Sequence, residues 1–175
     1  MLKTRLCDLL GIEVPIILAP MGTCTSGEFA AAVSNNGGLG GVGSLFRTAA
    51  AIKRDIDVVR RLTTRPFALN HIPQNLVSDA FDYALAARPS VMSFALADPG
   101  DLARRARDVG SRIMIQVTTV AQAVQAAERG RLRRRHHAGD NAVTSLAEKE
   151  RRRKSQAQRD DGGEQAARVH QYLLA

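Results

Sequence analysis

The chain has no tryptophan, only two cysteines in 175 residues, and an aromatic share of 4%. Cys7 and Cys24 stand in no CxxC or HxxxH spacing, which excludes a zinc site and a disulfide framework. Each reads as a small apolar residue in a reducing compartment, so the expected address is cytoplasmic and no metal is expected. Six prolines and 14 glycines, without a repeat, exclude collagen-like and mucin-like chains. Long apolar runs are missing too. Residues 14–21 are interrupted by Pro15 and Pro20 and follow Glu13, which suits neither a secretion signal nor a membrane span.

What is present is the balance of a globular protein, 45% hydrophobic and 24% charged. The net charge of +8 is unevenly placed. Residues 1–130 hold 14 basic and 11 acidic side chains, whereas residues 131–175 hold 11 and 6. That last stretch contains seven Ile, Leu, Val, Phe, Met or Tyr residues in 45, too few to offset the entropy of ordering it. The chain therefore divides near Gly130 into a globular portion, 1–130, and an Arg-rich tail, 131–175, expected to be irregular.

Within the first 130 residues one pattern recurs. Apolar runs without polar alternation at 15–20, 39–44, 67–70, 91–95 and 113–117 read as strands buried on both faces. Each is followed by helical spacing, at 26–35, 48–62, 76–87, 101–109 and 120–129, with Ser26 placed as a cap and Asn36-Gly37-Gly38 as a stop. Five strand-plus-helix units make a parallel α/β chain. The pattern allows an open doubly wound sheet or the first five units of an eight-unit barrel, which normally needs ~250 residues.

Gly38-Leu39-Gly40-Gly41-Val42-Gly43 satisfies GxGxxG, yet it follows a helix and contains a strand, whereas a dinucleotide fingerprint follows a strand and opens a helix. The run reads better as a helix stop leading into a strand of little bulk.

Residues 15–22, Pro-Ile-Ile-Leu-Ala-Pro-Met-Gly, and residues 28–40, Glu-Phe-Ala-Ala-Ala-Val-Ser-Asn-Asn-Gly-Gly-Leu-Gly, closely resemble the opening of the nitronate monooxygenase family, once called 2-nitropropane dioxygenases. Pro66 to Asn70, Val91 to Phe94 with Asp98-Pro99, and Gln116 to Thr119 resemble later segments in register. The flavin-dependent enoyl-reductase of fatty acid synthesis shares the opening motif. The resemblance implies a TIM (β/α)8 barrel, of which this chain carries the N-terminal five βα units, with FMN at the C-terminal ends of the strands. It further implies oxidation of alkyl nitronates by flavin and oxygen to a carbonyl compound and nitrite. By position, Ala19, Pro20 and Met21 match the segment along the flavin ring, and Asn70 a flavin-contacting position. Its amide both donates and accepts, which suits the mixed edge of an isoalloxazine. Gln116 and Ser93 are further candidates, each equally readable as a buried polar residue. His71 does not occupy the family's catalytic histidine position.

After Gly130 the resemblance stops. The sixth strand and the Gly-Gly-His loop that would carry the catalytic base are not found, so the catalytic residue is unassigned, FMN is expected to bind weakly or not at all, and the chain is expected to be a truncated or frameshifted, inactive form. Shifted by one nucleotide, codons for Arg133-Arg134-Arg135-His136-His137 would read as small and β-branched residues, so the tail is expected to be out of frame. The other function class is a nonenzymatic one, in which the clusters 131–135 and 151–154 bind nucleic acid nonspecifically through phosphates. Against a specific nucleic-acid partner, Tyr172 is the one aromatic after residue 130.

Overall fold

The computed structural model describes residues 2–134 and 170–174. Contacts divide the chain into two units, Met1–Met114 and Ile115–Ala175.

The first unit begins with a short helix, α1 (Arg5–Leu10), which buries Cys7 and Leu10 and was not legible as a periodic segment. The run 15–20, expected as a full strand, is reduced to one parallel bridge, Ile17 to Leu39. Leu18 donates its N–H to the Leu39 carbonyl, and Leu39 donates to the Ile16 carbonyl, both at 2.9 Å. Pro15 and Pro20 frame this run and have no N–H to extend the ladder, which accounts for the shortening.

Helix α2 (Gly27–Asn35) follows, with the Ser26 hydroxyl accepting the Phe29 N–H at 3.2 Å. Gly37, at φ +85°, turns the chain out of the helix into β1 (Gly40–Gly43). Next come α3 (Ala49–Leu62), capped by Thr48, then β2 (Phe67–His71), α4 (Ser78–Ala87), β3 (Val91–Phe94), α5 (Asp101–Asp108) and β4 (Arg112–Val117). The strands β1, β2 and β3 are buried along their whole length, as the missing polar alternation requires.

β1 pairs with β2 and β2 with β3, both in parallel. With the Ile17 bridge, four successive strand segments lie side by side in chain order. A doubly wound sheet reverses its order next to its first strand. No reversal occurs here, and this is the winding of a barrel wall. The glycine run extends from the end of α2 through β1 and opens no helix, so it is not arranged as a dinucleotide fingerprint.

Side chains alternate across β2. Phe67, Leu69 and His71 share one face, and the His71 ring meets Phe81 of α4 edge-on with centroids 5.1 Å apart. That face is therefore the helix side, where Phe81 also meets Phe94 of β3 at 6.3 Å. Both phenylalanines are fully buried, each worth roughly 1.5–3 kcal/mol by area removed from water.

The second unit holds the end of β4, helix α6 (Val120–Arg134) and a strand, β5 (His170–Leu174). The Thr119 hydroxyl accepts the Gln122 backbone N–H at 3.2 Å, while the Gln122 side-chain Oε1 accepts the Thr118 N–H at 2.8 Å. This reciprocal capping fixes the start of α6. Of the tail from residue 131, the described residues are the end of α6, to Arg134, and β5. Arg131 to Arg134 are good helix formers and prolong α6, and His-Gln-Tyr-Leu-Leu is the tail's one apolar-rich run. The remainder of the tail, with its cluster 151–154 and the residues His136 and His137, lies outside the described residues. Among the described residues no helix is long and apolar enough to cross a membrane.

Candidate functional site

Opposite the helix side, β2 presents Ala68 and Asn70. Gly43 of β1 is in register with Asn70, and Asn70 with Ser93 of β3. One row thus carries no side chain on β1, an amide on β2 and a hydroxyl on β3. The row below is Gly41, Ala68 and Val91. Asn70 is 8% exposed and donates from Nδ2 to the Ser93 hydroxyl at 3.0 Å and to the Ser93 carbonyl at 3.4 Å. Both bonds use the donor end of the amide. Among the described residues nothing donates to its Oδ1, so the acceptor end remains available to a ligand donor.

Pro20 closes this row on its other side. A Cβ built on Gly43 would lie 3.2 Å from the Pro20 Cβ and 3.4 Å from the Gly22 nitrogen. The loop after Pro20 therefore rests on the bare end of β1. Pro20, Gly43, Asn70 and Ser93 make a floor at the C-terminal ends of the strands, apolar where Pro20 is seated over the glycine and polar where the amide stands.

His71 turns away from this floor. It is 1% exposed, and neither ring nitrogen has a hydrogen-bond partner. Burial lowers its pKa from 6.5 to about 4. Above pH 6.5 the ring is neutral whether the chain is folded or not, and folding is unpenalised. As pH falls toward 4 the unfolded chain takes up a proton that the folded one refuses. The fold should lose up to about 3 kcal/mol across that window. Urea unfolding at pH 7.5 and 4.5 measures it. A His71→Phe variant, also apolar and aromatic, should lose most of the difference, and an unchanged difference would assign the acid sensitivity elsewhere.

The loop after β1 is anchored from beneath. Arg47 and Asp55 form an ion pair with side chains 5% and 2% exposed. The Arg47 guanidinium also donates to the carbonyls of Gly43 at 3.3 Å, Thr25 at 3.4 Å and Ala51 at 3.3 Å. One side chain thereby ties the end of β1 to the chain before α2 and to the first turn of α3.

Of the residues singled out from the sequence, Pro20 and Asn70 come together through Gly43. Ala19 and Met21 flank Pro20 and are exposed, Met21 at 50%. Ser93 is the direct partner of Asn70. Gln116 is half-buried near the end of β4 and belongs to the second unit. Two features were missed. Gly43 was read only as a strand residue, and its part in the floor follows from a register that sequence does not print. Asp55 went unremarked, although it sits between Ile52 and Ile56 on the apolar side of α3, where an unpaired acid would be costly. An apolar groove of about 350 Å³ between Val14, Ile16, Phe29 and Val33 touches none of the floor residues and offers little to orient a ligand.

A parallel α/β wall with a small polar floor at its strand ends is the class of structure defined so far. Residues 3–86 match the family model described as nitronate monooxygenase, so over its N-terminal portion the chain matches that family. A probable nitronate monooxygenase from Staphylococcus aureus strain JH9 is 43% identical over 68 residues, which are 39% of this chain and 19% of the relative. Among solved structures, FabK from Thermotoga maritima superposes with a TM-score of 0.69 at 28% identity, covering 74% of this chain and 42% of that one. A nitroalkane oxidase from Streptomyces ansochromogenes gives a TM-score of 0.56 at 28% identity, covering 71% and 46%. The chain thus spans about a fifth of the length of the curated relatives it matches, and less than half of these solved chains.

Proposed function

We propose that this chain contributes the ring-binding floor of an FMN-dependent, nitronate monooxygenase-like oxidoreductase built on a TIM-barrel wall. The family is flavin-dependent, and a flavin would supply the electron acceptor for oxidation of a nitronate with molecular oxygen. The observation that carries the reading is the row Pro20, Gly43, Asn70 and Ser93. Gly43 has no side chain, which lets Pro20 sit close beside the Asn70 row, and Asn70, held by Ser93, offers its free acceptor toward a ring N–H. Met21 and Ala19 border the same place. An alkyl nitronate is already deprotonated, so what these residues contribute is orientation and exclusion of water rather than proton removal. His71 faces the helix layer and takes no part.

Nothing in this row grips a phosphate. FMN and riboflavin should therefore bind weakly and within a few-fold of one another, by flavin fluorescence titration of the purified chain. Asn70→Leu should weaken both by about tenfold, the worth of one buried hydrogen bond with its desolvation. Absence of binding at millimolar flavin, or FMN binding a hundredfold tighter than riboflavin, would defeat the reading. In the second case recognition would rest on the phosphate and not on this floor.

A further inference from the structure

Three loops that leave the strand ends each hold an apolar side chain in solvent: Met21 at 50%, Phe46 at 87% and Leu96 at 64% exposure. Two of these sit in left-handed backbone, Phe46 at φ +57° and Leu96 at φ +65°. A bulky side chain is disfavoured there, and a phenyl or isobutyl group in water adds no compensating burial. Glycine or asparagine would fit the same turns more easily. Such strain in ordered loops is a pointer to function when a site lies beside it.

The loops are ordered, and they adjoin the floor. The Ser44 N–H bonds the Asn70 carbonyl at 3.1 Å, two residues before Phe46. Arg47, immediately after Phe46, is the buried anchor described above. The Gln74 side chain donates to the Leu96 carbonyl at 3.3 Å, and Ala95 donates to the His71 carbonyl at 3.2 Å. A Cβ on Gly22 would lie 3.5 Å from the Leu45 carbonyl, so the loops of Met21 and Phe46 are neighbours. Because β1, β2 and β3 lie in chain order, Phe46 follows the strand on one side of Asn70 and Leu96 the strand on the other.

We infer that Phe46 and Leu96 form an apolar bracket, either side of Asn70, that covers the exposed face of a planar heteroaromatic ligand lying on the Pro20–Asn70–Ser93 floor. The inference rests on the flavin-site reading and extends it: the floor supplies the hydrogen bond, and the bracket selects for a flat apolar face. A phenyl ring and a flavin ring stack offset or edge to face, and both leave water when they do.

Strain and binding make opposite demands on residue 46, which gives the test its discrimination. Phe46→Gly and Leu96→Gly relieve the left-handed backbone, so the melting temperature should hold or rise. Riboflavin affinity should fall about 5- to 10-fold in Phe46→Gly and be kept in Phe46→Tyr. A lowered melting temperature in Phe46→Gly would make the ring structural and overturn the inference. Equal riboflavin affinity in wild type and Phe46→Gly would overturn it while leaving the flavin reading intact. If the wild type takes up no riboflavin, the flavin reading fails, and the aromatic dye 8-anilinonaphthalene-1-sulfonate, which reports apolar surface, decides the bracket. Dye fluorescence lost in Phe46→Gly supports it, and undiminished fluorescence ends it.

Discussion

Replacement of Asp55 by alanine is expected to cost about 3–5 kcal/mol, the penalty for stranding a buried charge. The two halves of the pair are not equivalent. Without Asp55, the Arg47 guanidinium keeps only the carbonyls of Gly43, Thr25 and Ala51 around it, and those neutral acceptors do not balance a full charge. Without Arg47, Asp55 still has Arg54 at 3.3 Å, on a side chain 70% exposed. Arg47→Met should therefore be milder than Asp55→Ala. The double variant Arg47→Met, Asp55→Leu should recover most of the loss, because an apolar pair of similar volume removes both charges. Urea unfolding of Arg47→Met, Asp55→Leu and the double variant completes the cycle. Losses that simply add in the double variant would show that Arg47 and Asp55 do not act as a pair.

This anchor bears on how much of the molecule the sequence reveals. The parallel strands were legible because residues buried on both faces leave apolar runs, as in Phe67-Ala68-Leu69 and Ile113-Met114-Ile115. The start of α2 was legible because Ser26 stands where a hydroxyl satisfies a free N–H group, and in the structure Thr48 and Thr119 do the same for α3 and α6. Asp55 was not legible, since an acid in a helix rich in Lys and Arg reads as surface until a partner is seen. Leu62, three residues after the buried Val59 in α3, is nonetheless 46% exposed. The bridge at Ile17 shows the opposite error. Its composition is that of a strand, but a ladder needs N–H donors, and the flanking prolines have none.

The site divides in the same way. Asn70 and Pro20-Met21 are chosen by resemblance. What brings them together is the register that sets Gly43 beside Asn70 and the close approach of Pro20 to Gly43. Both depend on pairing between residues far apart in the chain. A glycine in a strand announces that something comes close without saying what it is.

Gly40 states the same rule as a stability effect. A Cβ built there would lie 1.9 Å from the Ala30 carbonyl oxygen and 2.6 Å from the Ser34 hydroxyl. The first is backbone in the middle of α2 and cannot swing aside, so Gly40→Ala must push the helix off the strand. The shift would also break the link in which Ser34 accepts the Gly40 N–H at 3.0 Å and donates to the Pro66 carbonyl at 2.8 Å. Overpacking of about 3 kcal/mol, with about 1 kcal/mol for each lost hydrogen bond, brings the expected loss to about 4–5 kcal/mol. That is comparable to the whole stability of many small domains. Gly110→Ala provides the contrast: a Cβ there meets nothing within 4 Å, but the backbone stands at φ +93°. Its cost should be that of the left-handed backbone alone, about 1–2 kcal/mol. Circular dichroism and urea unfolding of both variants separate the two causes. If Gly40→Ala is no worse than Gly110→Ala, α2 is not seated on β1 as closely as described, and the bare floor at Gly43, three residues along the same strand, loses its support.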